Sequence, residues 1–155
     1  MEGTADLPYA AADVWAALHD VDILVKTIPG CKSMVADGED AYRIALSLGV
    51  ASIKGDYEGK IRVTDIEFPH HYVLYGEGAG KPGFVNVNVE CRLEPTESGT
   101  ALHWSSDAEV GGLIAGLGGR VLSGISKYMA KQFFKALDDE MRNLFEQKQA
   151  ESVEG

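Results

Sequence analysis

The sequence contains few of the residues that build metal centres or disulfide frameworks. It has two cysteines in 155 residues, Cys31 and Cys91, and they form no CxxC pair. The four histidines show neither HExxH nor HxxxH spacing. Neither a zinc site nor a disulfide scaffold is therefore predicted, and we expect both cysteines to be buried free thiols.

Long hydrophobic runs and a signal peptide are also missing. The longest charge-free segments, residues 44–53 and 110–119, are far shorter than the roughly 20 residues that a membrane-spanning helix needs. The N-terminus shows no basic region followed by an apolar one. These absences predict a cytoplasmic protein in a reducing compartment.

Basic residues are outnumbered. The 14 Lys and Arg stand against 24 Asp and Glu, which gives a formal charge of -10 and an isoelectric point near 4.8. We see no basic patch along the sequence, so a nucleic acid is expected to be repelled and we predict no nucleic-acid partner. The same sign argues against adsorption to anionic lipid headgroups and leaves docking on a basic protein surface open.

Motifs of nucleophilic and nucleotide chemistry are not found. There is no GxSxG elbow, and Pro82 follows Gly80-Lys81 where a phosphate-binding loop requires Ser or Thr. The carboxylates of the predicted strands and of the last helix lie on outer faces, so they form no acid–base pair. The sequence therefore predicts no catalytic residues, although cyclase-type active sites in apolar cavities leave little trace in a sequence.

Hydrophobic periodicity predicts a single α+β domain over residues 1–146. A strand at residues 3–7 precedes two short helices, at residues 9–18 and 20–27. Consecutive strands with one polar face, joined by short turns, are typical of an antiparallel meander. Alternation of period two places the later strands at residues 42–48, 56–63, 72–75, 85–93 and 102–109, with a glycine-rich loop at 76–83.

One long helix remains to cover the apolar face of this sheet. Residues 119–148 repeat apolar side chains at steps of three and four. The predicted fold is thus a curved antiparallel sheet wrapped around a long C-terminal helix, with two short helices after the first strand. Residues 147–155 are polar and without periodicity, and we predict a flexible tail there.

Six glycines lie between Gly111 and Gly124, although each glycine inside a helix costs roughly 0.5–1 kcal/mol. One interpretation is an apolar lid on glycine hinges, which would carry Leu113, Ile114 and Leu117 over an opening between sheet and helix. Two other interpretations are an ordinary strand-to-helix connection and a contact surface of small residues. All three stay open at the level of sequence.

Seven segments spread along the chain form a recognisable set. They are VWAAL at 14–18, IPGC at 28–31, LSLGV at 46–50, IKG at 53–55, GFV at 83–85, WSSDAEVGG at 104–112 and IAGLG at 114–118. Together they resemble the CoxG family of aerobic, molybdenum-containing carbon monoxide dehydrogenase, over about residues 7–145. The resemblance implies the START-like, helix-grip fold of the SRPBCC superfamily and a deep hydrophobic cavity.

The resemblance also implies a function. Members of that family are accessory, non-catalytic proteins that help to join the dehydrogenase to the membrane and the respiratory chain. This implies a cytoplasmic location at the inner face of the cell membrane, a molybdenum hydroxylase as partner and a lipophilic ligand, a quinone or fatty acid, with no tightly bound cofactor. The alternatives are a polyketide cyclase or dehydratase on the same fold and an adaptor with a solid core.

The apolar faces of the predicted strands and helix supply the candidate lining of such a cavity. A ligand headgroup is expected to meet Arg120, at the start of the long helix. Ordinary core packing is the alternative for most of the set. The other candidate ligand-binding residues are Tyr42, Leu46, Leu48, Tyr57, Ile61, Leu74, Val85, Val87, Val89, Trp104, Ala108, Leu113, Ile114, Leu117, Val121, Ile125 and Phe133.

Overall fold

A computed structural model describes the backbone of residues 1–154 and the side chains of residues 1–50 and 52–147. Two 3₁₀ segments, Ala51–Ile53 and Gly112–Leu117, interrupt the strands and precede the last helix. The strands are β1 (Glu2–Leu7), β2 (Cys31–Ala36), β3 (Ala41–Leu48), β4 (Gly55–Glu67), β5 (His71–Gly80), β6 (Gly83–Thr96) and β7 (Gly99–Gly111), and the helices are α1 (Ala11–Leu18), α2 (Val21–Thr27) and α3 (Gly119–Glu154).

All seven strands form one antiparallel sheet in the order β1-β7-β6-β5-β4-β3-β2. The strands β2 to β7 follow one another as a meander, and β1 closes the other edge by pairing with β7. The two short helices come between β1 and β2, and α3 comes last. This architecture confirms the predicted helix-grip fold.

The edge strand β2 was not predicted from the sequence. Only Met34 is buried in this strand, and the half-buried Cys31 begins it, so no apolar alternation marks it. Its pairing with β3 holds it in the sheet, with a bulge between Cys31 and Ser33. An edge strand pairs with a single neighbour, and its backbone hydrogen bonds to that neighbour can hold it with few buried side chains. The sequence of β2 therefore carries only a weak pattern of a strand.

The prediction of a glycine-rich loop at residues 76–83 is wrong. β5 continues to Gly80, and only Lys81 and Pro82 form the turn to β6. The backbone of this part of β5 pairs on both sides, with β4 and with β6, so main-chain hydrogen bonds form the strand without side-chain packing. Glycines weaken a strand but do not prevent it where both neighbours are present.

One end of the molecule has a solid core. There α1, α2 and the second half of α3 pack on the sheet, and Val14, Leu102, Leu137 and Met141 are at most 2% exposed. Each such side chain contributes about 1.5–3 kcal/mol by leaving water. We call this region the packed end.

The last helix begins at Gly119, as predicted, and continues to Glu154. It therefore includes most of the residues that the sequence assigns to a polar tail at 147–155. The side chains of residues 148–155 lie outside the described part of the chain, and the flexibility of this tail stays a prediction.

Candidate functional site

A cavity of about 870 Å³ separates the concave face of the sheet from the first half of α3. We call this region the hollow end. Its volume lies within the range of small-molecule binding sites, and most of its wall is apolar. The apolar side chains around it are Met1, Ile28, Ile44, Leu46, Leu48, Ile53, Tyr57, Ile61, Leu74, Val85, Val87, Ala108, Val110, Ile114, Leu122, Ile125 and Met129.

Three glycines lie in the middle of the sheet side of this cavity. Gly59 of β4 pairs with Gly78 of β5, and Gly76 pairs with Ile61. All three lie on the concave face, because each stands an even number of residues from a lining side chain of its own strand: Gly59 lies between Tyr57 and Ile61, and Gly76 and Gly78 follow Leu74. Where other strands carry a side chain toward the helix, this part of the sheet offers only backbone, and the space stays empty.

The space available for a side chain differs among the three glycines. A Cβ atom on Gly59 would collide with the carbonyl oxygen of Glu77, so the close approach of β4 and β5 requires glycine there. A Cβ on Gly76 would lie 3.1 Å from Cγ1 of Val87, which is tight. A Cβ on Gly78 would meet nothing closer than 3.9 Å. Position 78 could thus accept a side chain, and that side chain would take up cavity volume.

The phenol of Tyr57 is tied to the wall of the cavity. Its hydroxyl donates a 2.6 Å hydrogen bond to the carbonyl oxygen of Ile53, in the first 3₁₀ segment. Burial raises the pKa of Tyr57 above its ordinary value. The phenol is therefore neutral at physiological pH and its proton is already engaged, which makes it a poor general base.

The two flanks of α3 have different neighbours, and the polar side chains that line the cavity lie on the flank next to β7 and β1. Tyr128, Gln132 and Ala136 of α3 line a groove with α2 and the end of β3. Successive residues are rotated by about 100° around the axis of α3, so Ser123 and Ser126 lie on the flank away from this groove. That flank faces β7 and β1 across the cavity. Glu2, Ser106, Asp107 and Lys127 line the cavity as well.

The hydroxyls of Ser123 and Ser126 are available to a ligand. Neither donates to nor accepts from any other described residue in a hydrogen bond, whereas the hydroxyl of Ser106 donates to the carbonyl oxygen of Met1 at 3.5 Å. No histidine of the described residues lines the cavity, and no cluster of His, Cys, Asp or Glu among them could hold a metal ion.

Ten of the predicted lining residues do face the cavity. They come from β3 to β7, from the segment Gly112–Leu117 and from α3, which confirms the predicted inward face of each of these strands. Their role in binding a ligand stays a prediction. The ten are Leu46, Leu48, Tyr57, Ile61, Leu74, Val85, Val87, Ala108, Ile114 and Ile125.

Four predicted residues belong to the packed end instead. Tyr42, Val89, Trp104 and Phe133 pack against the core of α1, α2 and the second half of α3. They share the inward face of their elements with the cavity residues but lie further along each strand or helix. Alternation identifies a face, and it carries no information on whether the opposite layer is near enough to fill the space.

The remaining predicted residues lie at the surface or beside the cavity. Leu113, Arg120 and Val121 are exposed and do not line the cavity, and the contact of Arg120 with a ligand headgroup stays a prediction. Leu117 packs against the small cluster of Ile53, Tyr57 and Ile114 without lining the cavity. The reason lies in the helix phase, because α3 turns positions 120 and 121 away from the sheet.

The segment Gly112–Leu117 covers one end of the cavity. Ile114 is 3% exposed and points inward, while Leu113 is 78% exposed. Glycines with positive φ bracket the segment, at Gly112 (φ 70°) and Gly118 (φ 82°). The segment therefore sits where the predicted lid belongs, and its opening motion stays a prediction.

Several cavity residues were not predicted. Ile44 and Gly59 share the alternation of their predicted neighbours, and Met129 shares the predicted inner face of the helix, so these signals were present in the sequence. Ile28, Ile53, Val110 and the serines of α3 come from turns, strand ends and a helix flank. No periodicity marks such positions.

A family model matches residues 3–142 of the chain, and it describes CoxG of carbon monoxide dehydrogenase. The chain belongs to the carbon monoxide dehydrogenase CoxG family. The resemblance drawn from the seven sequence segments is thereby confirmed, and the family is one of accessory subunits. No curated protein matches the chain.

Solved structures share the fold of this CoxG family member. A conserved protein from Geobacillus kaustophilus is 41% identical, with a TM-score of 0.89 and coverage of 92% of this chain and 94% of that one. A protein from Chromobacterium violaceum is 19% identical, with a TM-score of 0.69 over 91% and 95% of the two chains. Ara h 8.0201 is 16% identical, with a TM-score of 0.68 over 92% and 97%. The last two likenesses concern the fold alone.

The helices of the CoxG family member do not have the character of membrane spans. Within residues 1–154, no helix combines the length and the apolar composition that crossing a bilayer requires.

Proposed function

We propose that this CoxG family member is a non-catalytic accessory protein of an aerobic molybdenum-containing carbon monoxide dehydrogenase or a related hydroxylase. It binds a lipophilic molecule, a quinone or an acyl lipid, in the cavity and links the enzyme to the membrane or the respiratory chain. The observation that supports this best is the open apolar cavity of about 870 Å³ between sheet and helix.

Burial of an apolar tail supplies enough free energy for useful affinity. Each methylene that leaves water contributes about 0.8 kcal/mol, so ten contribute about 8 kcal/mol, the free energy of a micromolar complex. The loss of translational and conformational freedom opposes part of this gain. A long isoprenoid or acyl chain is therefore a better fit than a small aromatic molecule.

The polar flank gives the ligand an orientation. A carbonyl or carboxyl headgroup accepts hydrogen bonds from the hydroxyls of Ser123 and Ser126, which have no partner among the described residues. The tail then lies over Gly59, Gly76 and Gly78, where the wall has no side chains. In this pose the reactive or polar end of the ligand stays nearest to β7 and β1.

The alternatives derived from the sequence fare less well. An adaptor with a solid core does not agree with the cavity. A cyclase or dehydratase needs an acid or base beside its substrate, and the residues that best qualify, the four histidines, lie elsewhere in the described structure. Four acids border the cavity, Glu2, Glu58, Glu77 and Asp107. All four are exposed, so none is held in the apolar interior where the tail of a substrate would lie.

The test is extraction of the purified protein with organic solvent followed by mass spectrometry, and titration of the emptied protein with decylubiquinone. We expect a lipophile in near-stoichiometric amount and saturable quenching of tryptophan fluorescence. A Gly78→Leu variant is expected to bind at least about tenfold more weakly, because its side chain enters the cavity.

The matched control is Gly49→Leu. Gly49 is also a glycine with open space around it and without positive φ, and it lies outside the cavity lining. Equal affinities of both variants and the parent protein, or a folded protein that extracts empty and ignores quinone and fatty acid, would contradict the proposed function.

A further inference from the structure

The charge of the chain is strongly segregated. Residues 110–137 contain Arg120, Lys127, Lys131 and Lys135 and no Asp or Glu. The remaining residues contain 10 basic and 24 acidic side chains, so the net charge of -10 divides into +4 for this segment and -14 for the rest. The overall acidity concealed this local excess of positive charge.

The four cations lie on one side of α3. They follow one another at steps of seven, four and four residues, and a turn of about 100° per residue places all of them within about 80° of the helix circumference. Each of the four side chains is exposed. We call this set, Arg120, Lys127, Lys131 and Lys135, the basic stripe.

The basic stripe has no acidic counterpart among the described side chains. None of its members lies within ion-pair distance of a carboxylate of the side chains described for residues 1–50 and 52–147. Five cations elsewhere are paired, among them Lys26 with Glu140 at 4.0 Å and Lys32 with Asp56 at 3.6 Å, whereas the other unpaired cations of the described part are separated along the sheet strands and turns. Four cations in a row without such partners, on an acidic protein, are complementary to an anionic surface.

Apolar side chains accompany the stripe. Val121 and Tyr128, one heptad apart, flank it on α3 and are 43% and 53% exposed. Leu113, the most exposed large apolar residue of the described part, lies in the segment just before the helix. A peripheral membrane contact combines cations that bind anionic lipid headgroups with apolar side chains that insert between the acyl chains. The stripe and these three residues show both features.

The position of the stripe relates it to the cavity. Lys127 belongs to the stripe and also lines the cavity, as do Ser123 and Ser126 on the adjoining flank of the helix. A surface bound through the stripe therefore lies next to the polar flank of the cavity and the covering segment Gly112–Leu117. A lipophilic molecule that leaves the surface has a short path to the cavity.

We propose that the basic stripe, with Leu113, Val121 and Tyr128, is a docking surface for an anionic lipid bilayer. This docking surface rests on the proposed function, because it assigns residues to the proposed membrane link, whereas its test does not depend on ligand binding in the cavity. The acidic rest of the molecule opposes binding mainly within the Debye length of about 8 Å. Asp138 and Asp139, the first acids after the stripe on α3, are paired with Arg142 at 2.9 and 3.5 Å.

The test is co-sedimentation of the full chain with vesicles of phosphatidylglycerol and phosphatidylcholine in equal parts, and with vesicles of phosphatidylcholine alone. We expect binding to the anionic vesicles that weakens as salt is added and little binding to the neutral ones. The Lys131→Gln/Lys135→Gln variant is expected to bind at least about tenfold more weakly, since each cation near such a surface contributes about a factor of five.

The matched control is Lys26→Gln/Lys32→Gln, which changes the net charge by the same amount at two paired lysines. It is expected to bind as the parent protein does. A parallel loss in both double variants, or no binding of the parent protein at low salt, overturns the proposal. Thermal unfolding of each variant checks that the exposed substitutions leave the fold intact.

A Leu113→Ser variant separates a bilayer from other polyanions. On lipid it is expected to bind several-fold more weakly, because an exposed leucine is lost from the interface. A fluorescent DNA duplex and a polyglutamate peptide serve as the other anions. If either binds as tightly as the anionic vesicles and Leu113→Ser has no effect, the surface is a general anion site and the proposal is wrong.

The stripe variants also distinguish this proposal from the proposed function. They are expected to keep the decylubiquinone affinity of the parent protein, because Lys131 and Lys135 do not line the cavity. Loss of vesicle binding with unchanged quinone binding supports the docking surface independently. Quinone binding without any vesicle binding leaves the cavity proposal standing and removes this one.

Discussion

At the packed end, large side chains of both layers meet: Leu102 from β7 packs in one cluster with Leu137 and Met141 of α3, and each is at most 2% exposed. At the hollow end, the same sheet presents Gly59, Gly76 and Gly78 toward the same helix, and about 870 Å³ stays open. The secondary structure is alike in the two regions. The size of the side chains on two neighbouring strands decides which region holds a core and which holds a cavity.

The largest effect that tests the difference between the two regions is expected from truncating one residue of α3 in each of them. Leu137→Ala at the packed end is expected to lower the free energy of unfolding by about 2–5 kcal/mol, because it leaves a cavity among close-packed neighbours. Ile125→Ala at the hollow end is expected to cost only about 1 kcal/mol, since its side chain already faces open space and makes fewer contacts. Urea denaturation measures both, and equal losses would mean that the two regions are packed alike.

The glycines of the hollow end allow a finer comparison. Gly118 adopts φ 82° and ψ 161°, a conformation in which other residues are strained. Gly118→Ala is expected to lower the free energy of unfolding by about 1–3 kcal/mol. Gly116 has no positive φ and nothing within 4 Å of a Cβ, so Gly116→Ala is expected to be neutral or to stabilise by up to about 1 kcal/mol.

Thermal or urea unfolding separates these two variants, and stopped-flow exchange of bound quinone adds a second measurement. If the segment Gly112–Leu117 is a lid, the folded Gly116→Ala protein is expected to exchange ligand more slowly, because a hinge has become stiffer. Unchanged exchange in that variant would support the interpretation of an ordinary connection.

How far the sequence predicts the structure also differs between the two regions. The alternation of Val85, Val87 and Leu93 identified β6 and its inward face, because side-chain period follows directly from strand geometry. Gly76 and Gly78 led to the wrong prediction of a loop, because glycine is common where the backbone is flexible. Their strand conformation depends on hydrogen bonds to the two neighbouring strands, which the local sequence does not contain. The void itself is a property of two layers and of the distance between them, which local pattern does not contain.

The expectation that the chain has no basic patch is wrong for a related reason. A net charge is a sum over the chain, and Arg120, Lys127, Lys131 and Lys135 are separated by up to seven residues, so no run of basic letters appears. The structure brings them together because α3 is continuous through all four. Projection of residues 119–135 on a helical wheel would have revealed the stripe from the sequence alone.

The smallest expected effect concerns two of the buried tyrosines, Tyr72 at the packed end and Tyr57 at the hollow end. Burial and the adjacent Cys91 thiol raise the pKa of Tyr72 well above its ordinary value, and burial raises the pKa of Tyr57 to a lesser degree. A raised pKa in the folded state means that the neutral phenols favour folding fully below the unfolded-state pKa of about 10, and that this contribution is lost as the pH rises through the folded-state values.

Stability is therefore expected to be flat in pH around neutrality with respect to these groups and to fall above about pH 10. Tyr72→Phe at the packed end is expected to remove more of this alkaline loss than Tyr57→Phe at the hollow end, because Tyr72 has the larger shift. Urea unfolding at a series of alkaline pH values measures the slopes. A steeper contribution from Tyr57 would show that water reaches the packed end more readily than the cavity wall, which would reverse the assignment of the two regions.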